Sequence, residues 1–164
     1  MSHSDELEFL TFQPELARDF KAINEEWISA MFELEGSDTS ILDHPESKVI
    51  DPGGQIWFAK HATLGIVGTC AVMPQGDGAF ELTKMGVFKS ARGLKVGEAL
   101  LQHVIRAAQD MPISKLFLLT NKHCEAAIHL YLKNGFEHDP GIMQSYGCSY
   151  ERCDVAMIHR DFVS

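Results

Sequence analysis

The 164-residue sequence lacks the features of membrane, secreted and nucleic-acid-binding proteins. No apolar run approaches the roughly 18 residues of a membrane span, and Asp5, Glu6 and Glu8 stand where a secretory signal would need basic residues. The chain has 14 basic and 23 acidic residues, and this net charge of −9 disfavours binding to nucleic-acid phosphates. We therefore predict a cytoplasmic protein with no membrane or nucleic-acid partner. The negative charge would attract a cationic small substrate, although keeping the protein soluble is the simpler interpretation.

Patterns of metal ligands and of paired cysteines are also missing. The sequence has four cysteines that form no C-x-x-C pair and no zinc spacing: Cys70, Cys124, Cys148 and Cys153. A chain of this length can bury enough surface to fold without disulfides. We predict four free thiols and no metal site.

No internal repeat, linker or low-complexity segment divides the chain. Hydrophobic residues make up 45% of the sequence, which is enough to fill one core, and the 23% of charged residues suits a polar surface. We predict a single domain that spans residues 1–164.

The most informative stretch surrounds two glycines, Gly93 and Gly97. Residues 80–87 have the composition of a strand, residues 89–93 form a polar turn, and apolar residues recur at helical spacing from Val96 onward. The amino end of a helix carries unpaired N–H groups and the positive end of the helix dipole, and both favour a phosphate. The two glycines would let a phosphate approach the backbone. The stretch therefore predicts a strand, an anion-binding turn and a helix.

The remaining segments complete an α/β pattern. We predict further strands and helices at residues 7–12, 56–61, 66–73, 115–120, 136–138 and 153–159 (strands) and at about 14–31 and 123–134 (helices). The apolar centre of 115–120 is typical of a buried parallel strand, so it should lie beside residues 80–87. Residues 36–44 are polar and loop-like, and residues 139–150 are predicted to form a long, mobile connection.

Three features, in order, resemble the GNAT superfamily of N-acetyltransferases. Residues 92–97 (R-G-L-K-V-G) resemble the family's Q/R-x-x-G-x-G/A pyrophosphate loop. Glu81 precedes the loop as in members that use a strand glutamate as base. Residues 128–136 (I-H-L-Y-L-K-N-G-F) resemble the family's A-x-x-L-Y-x-x-x-G-F helix end. The resemblance covers most of the chain and is nearest to acetyltransferase domains sometimes fused to helix-turn-helix regulators.

The resemblance implies a GNAT-like α/β fold whose mixed, mostly antiparallel sheet is flanked by helices. It also implies an enzyme that transfers the acetyl group of acetyl-CoA to a primary amine of a small molecule or peptide by direct attack in a ternary complex. It allows a homodimer. Two alternatives stay open: a catalytically silent acyl-CoA-binding regulatory module, and a transferase of a longer acyl group.

Acetylation of an amine needs a base for the ammonium, polarisation of the thioester and an acid for the departing thiolate. The resemblance makes Glu81 the candidate base, directly or through water, with a strand carboxylate paired to a lysine as the alternative. Tyr131 matches the family's tyrosine acid, with a packing role as the alternative. Cofactor binding is assigned to Met85, Gly86, Val87, Arg92, Gly93, Leu94, Lys95, Val96, Gly97, Glu98 and Asn121, with backbone N–H groups of Met85 and Val87 holding the pantetheine or the carbonyl oxygen. Asn121 could equally cap a loop.

The loop departs from the family pattern at Lys95, where a glycine is usual. A left-handed backbone would strain a lysine by about 1–2 kcal/mol, whereas in helix-start geometry its charge would help to bind a pyrophosphate. We favour helix-start geometry.

The acceptor amine would lie near the first helix if the family pattern holds. Trp27, Phe32 and Leu34 are candidates for its pocket, but aromatic residues at helical spacing are more often core, and we favour the core interpretation. By family analogy alone, Tyr146, Tyr150 and Arg152 border the acceptor.

Overall fold

The structure is a computed structural model that describes residues 6–147 and 150–162. Seven strands form one sheet in the order β1-β2-β3-β4-β5-β7-β6. They are β1 (Leu7–Thr11), β2 (Gln55–His61), β3 (Gly65–Pro74), β4 (Ala79–Val87), β5 (Lys115–Thr120), β6 (Phe136–His138) and β7 (Val155–His159). β4 and β5 pair in parallel and the other neighbours pair antiparallel. The mixed, mostly antiparallel sheet confirms the predicted fold class.

Within the described residues five α-helices flank the sheet: α1 (Ala17–Met31), α2 (Gly36–Asp43), α3 (Val96–Ala108), α4 (Glu125–Lys133) and α5 (Pro140–Tyr146). Shorter helical turns are Pro14–Leu16, Lys89–Ala91 and Arg160–Phe162, with a π-helical turn at Glu46–Ile50. None of the helices in the described ranges has the length and apolar character needed to cross a membrane. Cys70, Cys124 and Cys153 are free thiols, as predicted, and Cys148 lies outside the described residues.

Two helices stand where the sequence predicted irregular chain. α5 begins at Asp139, whose carboxylate accepts hydrogen bonds from the backbone N–H groups of Gly141 (2.8 Å) and Ile142 (3.2 Å), and Pro140 occupies the first turn. Asp followed by Pro is a good helix start, so this signal was overlooked in predicting a mobile connection. α2 begins at Glu35 with a capping box closed by Asp38. Its polar sequence gave no apolar periodicity, so the loop predicted for 36–44 was wrong.

The side chains of the sheet alternate between two packed faces. One face carries Leu116, Leu118 and the apolar stripe of α3, with Leu100 and Val104 fully buried. The opposite face packs the residues of β2 and β3 against α1 and α2, and Phe117 against α5. The parallel strand β5 is apolar on both faces because helices cover both.

A β-bulge interrupts β4 near Lys84. The register between β3 and β4 shifts between Thr69 and Ala71, and Lys84 has a left-handed φ of 53°. The extra residue turns the Lys84 side chain towards α2, where its Nζ lies 2.9 Å from Asp38. The bulge therefore brings a lysine of the central strand to a helix on the face opposite α3.

Candidate active site

A cavity opens where two neighbouring strands part. β4 and β5 pair up to Glu81 and Phe117; beyond that point β5 pairs with β7, while β4 continues against β3 to Val87. The gap leads into a cavity of about 700 Å³. On this side β4 has no strand partner among the described residues beyond Glu81, so its backbone polar groups can bind a ligand.

Most of the predicted cofactor residues lie on the wall of this cavity. They are Met85, Gly86, Val87, Arg92, Gly93, Lys95, Val96, Gly97, Glu98 and Asn121. Leu94 is the exception, since its side chain packs against the core that α3 covers. The structure thus brings together residues from β4, the loop and α3, and their contact with a cofactor stays a prediction.

The loop that precedes α3 has two residues with positive φ. Gly93 has φ +89°, which glycine adopts easily, and Lys95 has φ 59° and ψ 26° in the left-handed region. The helix-start geometry predicted for Lys95 is therefore wrong, and the left-handed alternative holds. A left-handed residue followed by a right-handed helical one forms a concave array of N–H groups that suits an anion, which is a physical reason for the strained conformation.

Gly97 lies on the cavity wall in the first turn of α3. A Cβ atom added there would lie 3.7 Å from Leu130 and 3.8 Å from Val87, which is ordinary van der Waals contact. Packing within the protein therefore does not require glycine at this position. The missing side chain leaves room in the cavity beside the amino end of the helix.

Tyr131 reaches the cavity from α4. Its ring packs edge-on against Phe136 with centroids 5.8 Å apart, and the residue is 8% exposed. Burial raises the pKa of Tyr131 well above its usual value, so the phenol keeps its proton at neutral pH. Its hydroxyl has no hydrogen-bond partner among residues 6–147 and 150–162, where every enclosed side-chain oxygen has one, so it opens into the cavity.

Glu81 lies behind the cavity wall and is only 2% exposed. Burial raises the pKa of Glu81 to about 7, against the opposing effects of the Lys84 charge and of hydrogen bonds from Gln75 and Thr83. Gln75 Nε2 donates to Glu81 Oε1 at 2.9 Å. No lysine forms an ion pair with Glu81 among the described residues, so the alternative of a strand carboxylate paired to a lysine lacks its partner. Because Thr83 does line the cavity, a proton can reach Glu81 through an intervening group rather than by direct contact.

The residues predicted as core near the first helix divide between wall and core. Trp27 and Phe32 line the cavity, so the core interpretation is wrong for them, whereas Leu34 packs in the core. Trp27 lies over Gly86: a Cβ atom at Gly86 would be 2.5 Å from Trp27 Cδ1. The Trp27 Nε1–H donates to Asn24 at 2.9 Å, which holds the ring in place.

A cluster of buried charges lies at the same end of the cavity; we name it the Asp38 cluster, and it comprises Glu35, Asp38, Lys84, Tyr150 and Arg152. Asp38 accepts four hydrogen bonds, from Lys84 Nζ (2.9 Å), Arg152 Nη1 (2.6 Å) and Nη2 (2.8 Å), and the Glu35 backbone N–H (2.9 Å). Lys84 also donates to the Tyr150 hydroxyl at 3.2 Å. These bonds tie α2, β4 and the chain before β7 together.

The charges of the Asp38 cluster are held ionised. Burial alone would raise the pKa of Asp38, but Arg152 and Lys84 lower it to about 2. Burial alone would lower the pKa of Lys84, but Tyr150 and Asp38 raise it above its usual value. Sequence reasoning missed Lys84 and Asp38, because a lysine in a strand and an aspartate in a polar segment carry no pattern that joins them.

Several other side chains predicted to contact a ligand form hydrogen bonds, ion pairs or stacking contacts within the protein. Asn121 donates to the Arg152 carbonyl (2.6 Å) and accepts from the His123 N–H (2.8 Å), which matches the loop-capping alternative. Glu98 forms an ion pair of 3.0 Å with Lys133. Of the residues placed by analogy, Tyr150 and Arg152 line the cavity, whereas Tyr146 stacks on Phe117 with ring centroids 4.2 Å apart.

Known proteins match this chain in sequence. The family described as Acetyltransferase (GNAT) domain matches residues 52–138, more than half of the chain. N-acetyltransferase 8 of Rattus norvegicus is 28% identical over 103 residues, which cover 60% of this chain and 46% of that protein. The chain thus spans about half the length of that curated relative. An uncharacterised N-acetyltransferase of Schizosaccharomyces pombe is 28% identical over 131 residues, covering 76% of this chain and 78% of that protein.

Solved structures share the fold. A GNAT-family acetyltransferase from Staphylococcus aureus Mu50 superposes with a TM-score of 0.82 at 22% identity and covers 93% of this chain and 98% of that chain. Spermidine N-acetyltransferase from Vibrio cholerae, solved in complex with CoA and spermine, has a TM-score of 0.70 at 15% identity, with 94% of each chain covered. At these identities the likeness shows the fold alone.

Proposed function

The chain belongs to the GNAT acetyltransferases, and from this premise we propose that it transfers the acetyl group of acetyl-CoA to a primary amine by direct attack in a ternary complex. The observation that carries the proposal is the cavity between β4 and β5, which has the glycine-containing loop at one end and the Tyr131 hydroxyl on its wall. The Vibrio cholerae enzyme of the same fold binds CoA and an amine, which supports this choice of substrates.

The cofactor would lie along the parted strands. Its pyrophosphate oxygens would accept hydrogen bonds from the backbone N–H groups of residues 93–97. The Lys95 and Arg92 side chains would add positive charge. The pantetheine would run beside the unpaired edge of β4, where Met85 and Val87 provide backbone groups. The site supplies these contacts mainly from the backbone, so it recognises the shape of the cofactor through few side chains.

In the proposed reaction Glu81 acts as a base and Tyr131 acts as an acid. An ammonium acceptor first loses a proton to Glu81, through Thr83 or water, and the neutral amine then attacks the thioester carbonyl. The new C–N bond forms, the C–S bond breaks, and the thiolate takes a proton from Tyr131. The second proton of the nitrogen restores the Tyr131 hydroxyl through water, and Glu81 releases the first proton to solvent, so the products are an amide, CoA with a free thiol, and one proton. A Glu81 pKa of about 7 suits a base that works at neutral pH.

A panel of amines, amino acids, polyamines and peptides tests the proposal when release of the CoA thiol and the mass of the product are measured. We expect thiol release that depends on the acceptor. Binding of acetyl-CoA without release for any acceptor would favour the silent regulatory module. Faster release from a longer acyl-CoA would favour a different donor.

Tyr131→Phe tests the acid role, because it removes one hydroxyl and keeps the ring packed on Phe136. We expect turnover to fall by on the order of 10²-fold while affinity for acetyl-CoA hardly changes, since the loss belongs to the transition state. Turnover, calorimetric affinity and melting temperature are measured on both proteins. Unchanged turnover with a lower melting temperature would assign Tyr131 to packing instead.

Several expectations from the sequence stay predictions. They are the cytoplasmic location, the single domain over residues 1–164, the homodimer, and the absence of metal, nucleic-acid and membrane partners.

A further inference from the structure

We propose that the acceptor amine carries a carboxylate and an apolar group, as in an amino acid with an apolar side chain, and that Arg152 binds the carboxylate. This inference rests on the proposed acetyl transfer and names its substrate class. It reverses the expectation from the net charge of −9, which would favour a cationic acceptor. The reason is the distribution of charge around the cavity rather than its sum.

The wall at the acceptor end is lined by two cations but not by the carboxylates that pair with them. Lys84 and Arg152 line the cavity, with 2% and 12% of their side chains exposed, whereas Asp38 (0%) and Glu35 (22%) are not among its lining residues. The described carboxylates on the wall are Glu98 and Glu125, which belong to α3 and α4 at the cofactor end. The second ammonium of a polyamine would therefore meet cations, while a carboxylate would meet them with favourable charge.

Arg152 keeps one edge of its guanidinium available. Of its five N–H donors, Nη1 uses two, to Glu35 (3.2 Å) and Asp38 (2.6 Å), and Nη2 uses one, to Asp38 (2.8 Å). The Nε–H and the second Nη2–H have no hydrogen-bond partner among the described residues, and Arg152 lines the cavity. These two donors lie on one edge of the planar group and can hold a carboxylate through two parallel hydrogen bonds.

The Asp38 cluster and the aromatic rings fix this edge in place. The Asp38 carboxylate accepts hydrogen bonds from both terminal nitrogens of the guanidinium. The Arg152 Cζ atom lies 4.9 Å from the ring centre of Tyr150 and 5.8 Å from that of Phe32. A guanidinium held on its end and within cation–π distance of two rings binds a carboxylate at little entropic cost.

The same part of the wall offers an apolar surface. Trp27, Met31 and Phe32 line the cavity, and 48% of Met31 is exposed. An apolar substituent of the acceptor would cover these side chains. Carboxylate, amine and apolar group together describe an amino acid such as leucine or phenylalanine.

The test compares matched acceptors on the wild-type enzyme: phenylalanine with phenylalaninamide, leucine with leucinamide, and spermidine. Measured by thiol release and product mass, kcat/KM should favour each acid over its amide by roughly 10- to 100-fold, as expected for a charge-assisted pair of hydrogen bonds. Intrinsic reactivity works in the opposite direction, because an amide lowers the pKa of the neighbouring amine and leaves more of it neutral.

Arg152→Lys supplies the second readout, since it keeps a cation beside Asp38 but loses the fork. We expect the preference for the acid to fall to near unity through a higher KM for the acid. Lys133→Gln is the control, because it removes a wall cation at the cofactor end and should leave the acid-to-amide ratio unchanged. If Arg152→Lys unfolds, as its melting curve would show, the wild-type comparison decides alone.

The outcomes separate the two proposals. Thiol release with amides or spermidine that equals or exceeds release with the acids would overturn the carboxylate site and leave acetyl transfer standing. Absence of release with every amine, despite binding of acetyl-CoA, would overturn both.

Discussion

The end of the cavity proposed to bind the cofactor (the cofactor end) is built from short continuous stretches of chain, whereas at the end proposed to bind the acceptor (the acceptor end) distant segments meet. β4, the loop and the first turn of α3 follow one another directly, and the loop would act through its backbone. The Asp38 cluster joins residues 46 positions apart (Lys84 and Asp38) and 114 positions apart (Arg152 and Asp38), and it works through side-chain charge.

The two ends should therefore be sensitive to different kinds of substitution. Backbone N–H groups persist when side chains change, so the cofactor end should be sensitive only to atoms that fill its space or alter its φ and ψ angles. Buried charges depend on one another, so the removal of one charge at the acceptor end leaves its partners uncompensated. Three substitutions test this contrast.

Asp38→Asn should have the largest effect. It leaves Lys84 buried without its carboxylate and removes the bidentate partner of Arg152, which should lower the free energy of unfolding by about 3–5 kcal/mol. The pKa of Asp38 lies at about 2, below its usual 3.8, so its stabilisation is present above pH 3.8 and is lost as the pH falls towards 2. The difference between wild type and variant should therefore shrink in acid, as denaturant titrations at pH 2 and pH 7 would show.

The matched control is Glu98→Gln, which breaks the ion pair with Lys133 at the cofactor end. The Lys133 side chain is 58% exposed, so solvent screens the pair and the cost should be within about 1 kcal/mol. Equal losses for the two variants would refute the contrast between the two ends.

Glu81→Gln should lower turnover by on the order of 10²-fold near neutral pH. Part of the loss should return at alkaline pH, where more of the acceptor amine is already neutral. A pH profile lowered by the same factor throughout would instead indicate a structural carboxylate.

Stability provides an independent readout for the same variant. Because the folded-state pKa of Glu81 is raised from 4.5 to about 7, ionisation of this buried group costs stability as the pH rises through that interval. Glu81→Gln removes this cost, so its melting temperature relative to wild type should be higher at pH 8 than at pH 5.

Gly97→Val should have the smallest effect of the three and should affect binding alone. The new side chain has space within the protein but enters the cavity, so affinity for acetyl-CoA should fall by about tenfold, or 1.4 kcal/mol, with the fold intact. Ala99→Val is the control, since Ala99 lies on the same helix but not on the cavity wall. Calorimetry that gives equal affinities for Gly97→Val and wild type would contradict the loop assignment.

The sequence predicted the cofactor end because its pattern is local. The strand, the glycine-containing turn and the helix each leave a mark at fixed spacing, and the position of α3 is confirmed from its first residue, Val96. The prediction failed at Lys95, because the sequence alone does not show whether a charged residue before a helix has a right-handed or a left-handed backbone conformation. The start of α5 could also have been predicted from the sequence, because Asp139 is a good helix cap, whereas α2 could not.

The acceptor end was decided by tertiary structure. Lys84 meets Asp38 because of the bulge in β4. Trp27 lies over Gly86, and Glu81 is buried, because other segments of the chain pack against β4. The α/β class, the strand-loop-helix unit and the family could be predicted from the sequence, because hydrophobic periodicity and glycine spacing act over a few residues. The charges that face the cavity, and their pKa values, depend on segments that are far apart in the chain. Burial and charge pairing are properties of a residue's surroundings, so the sequence alone does not reveal them.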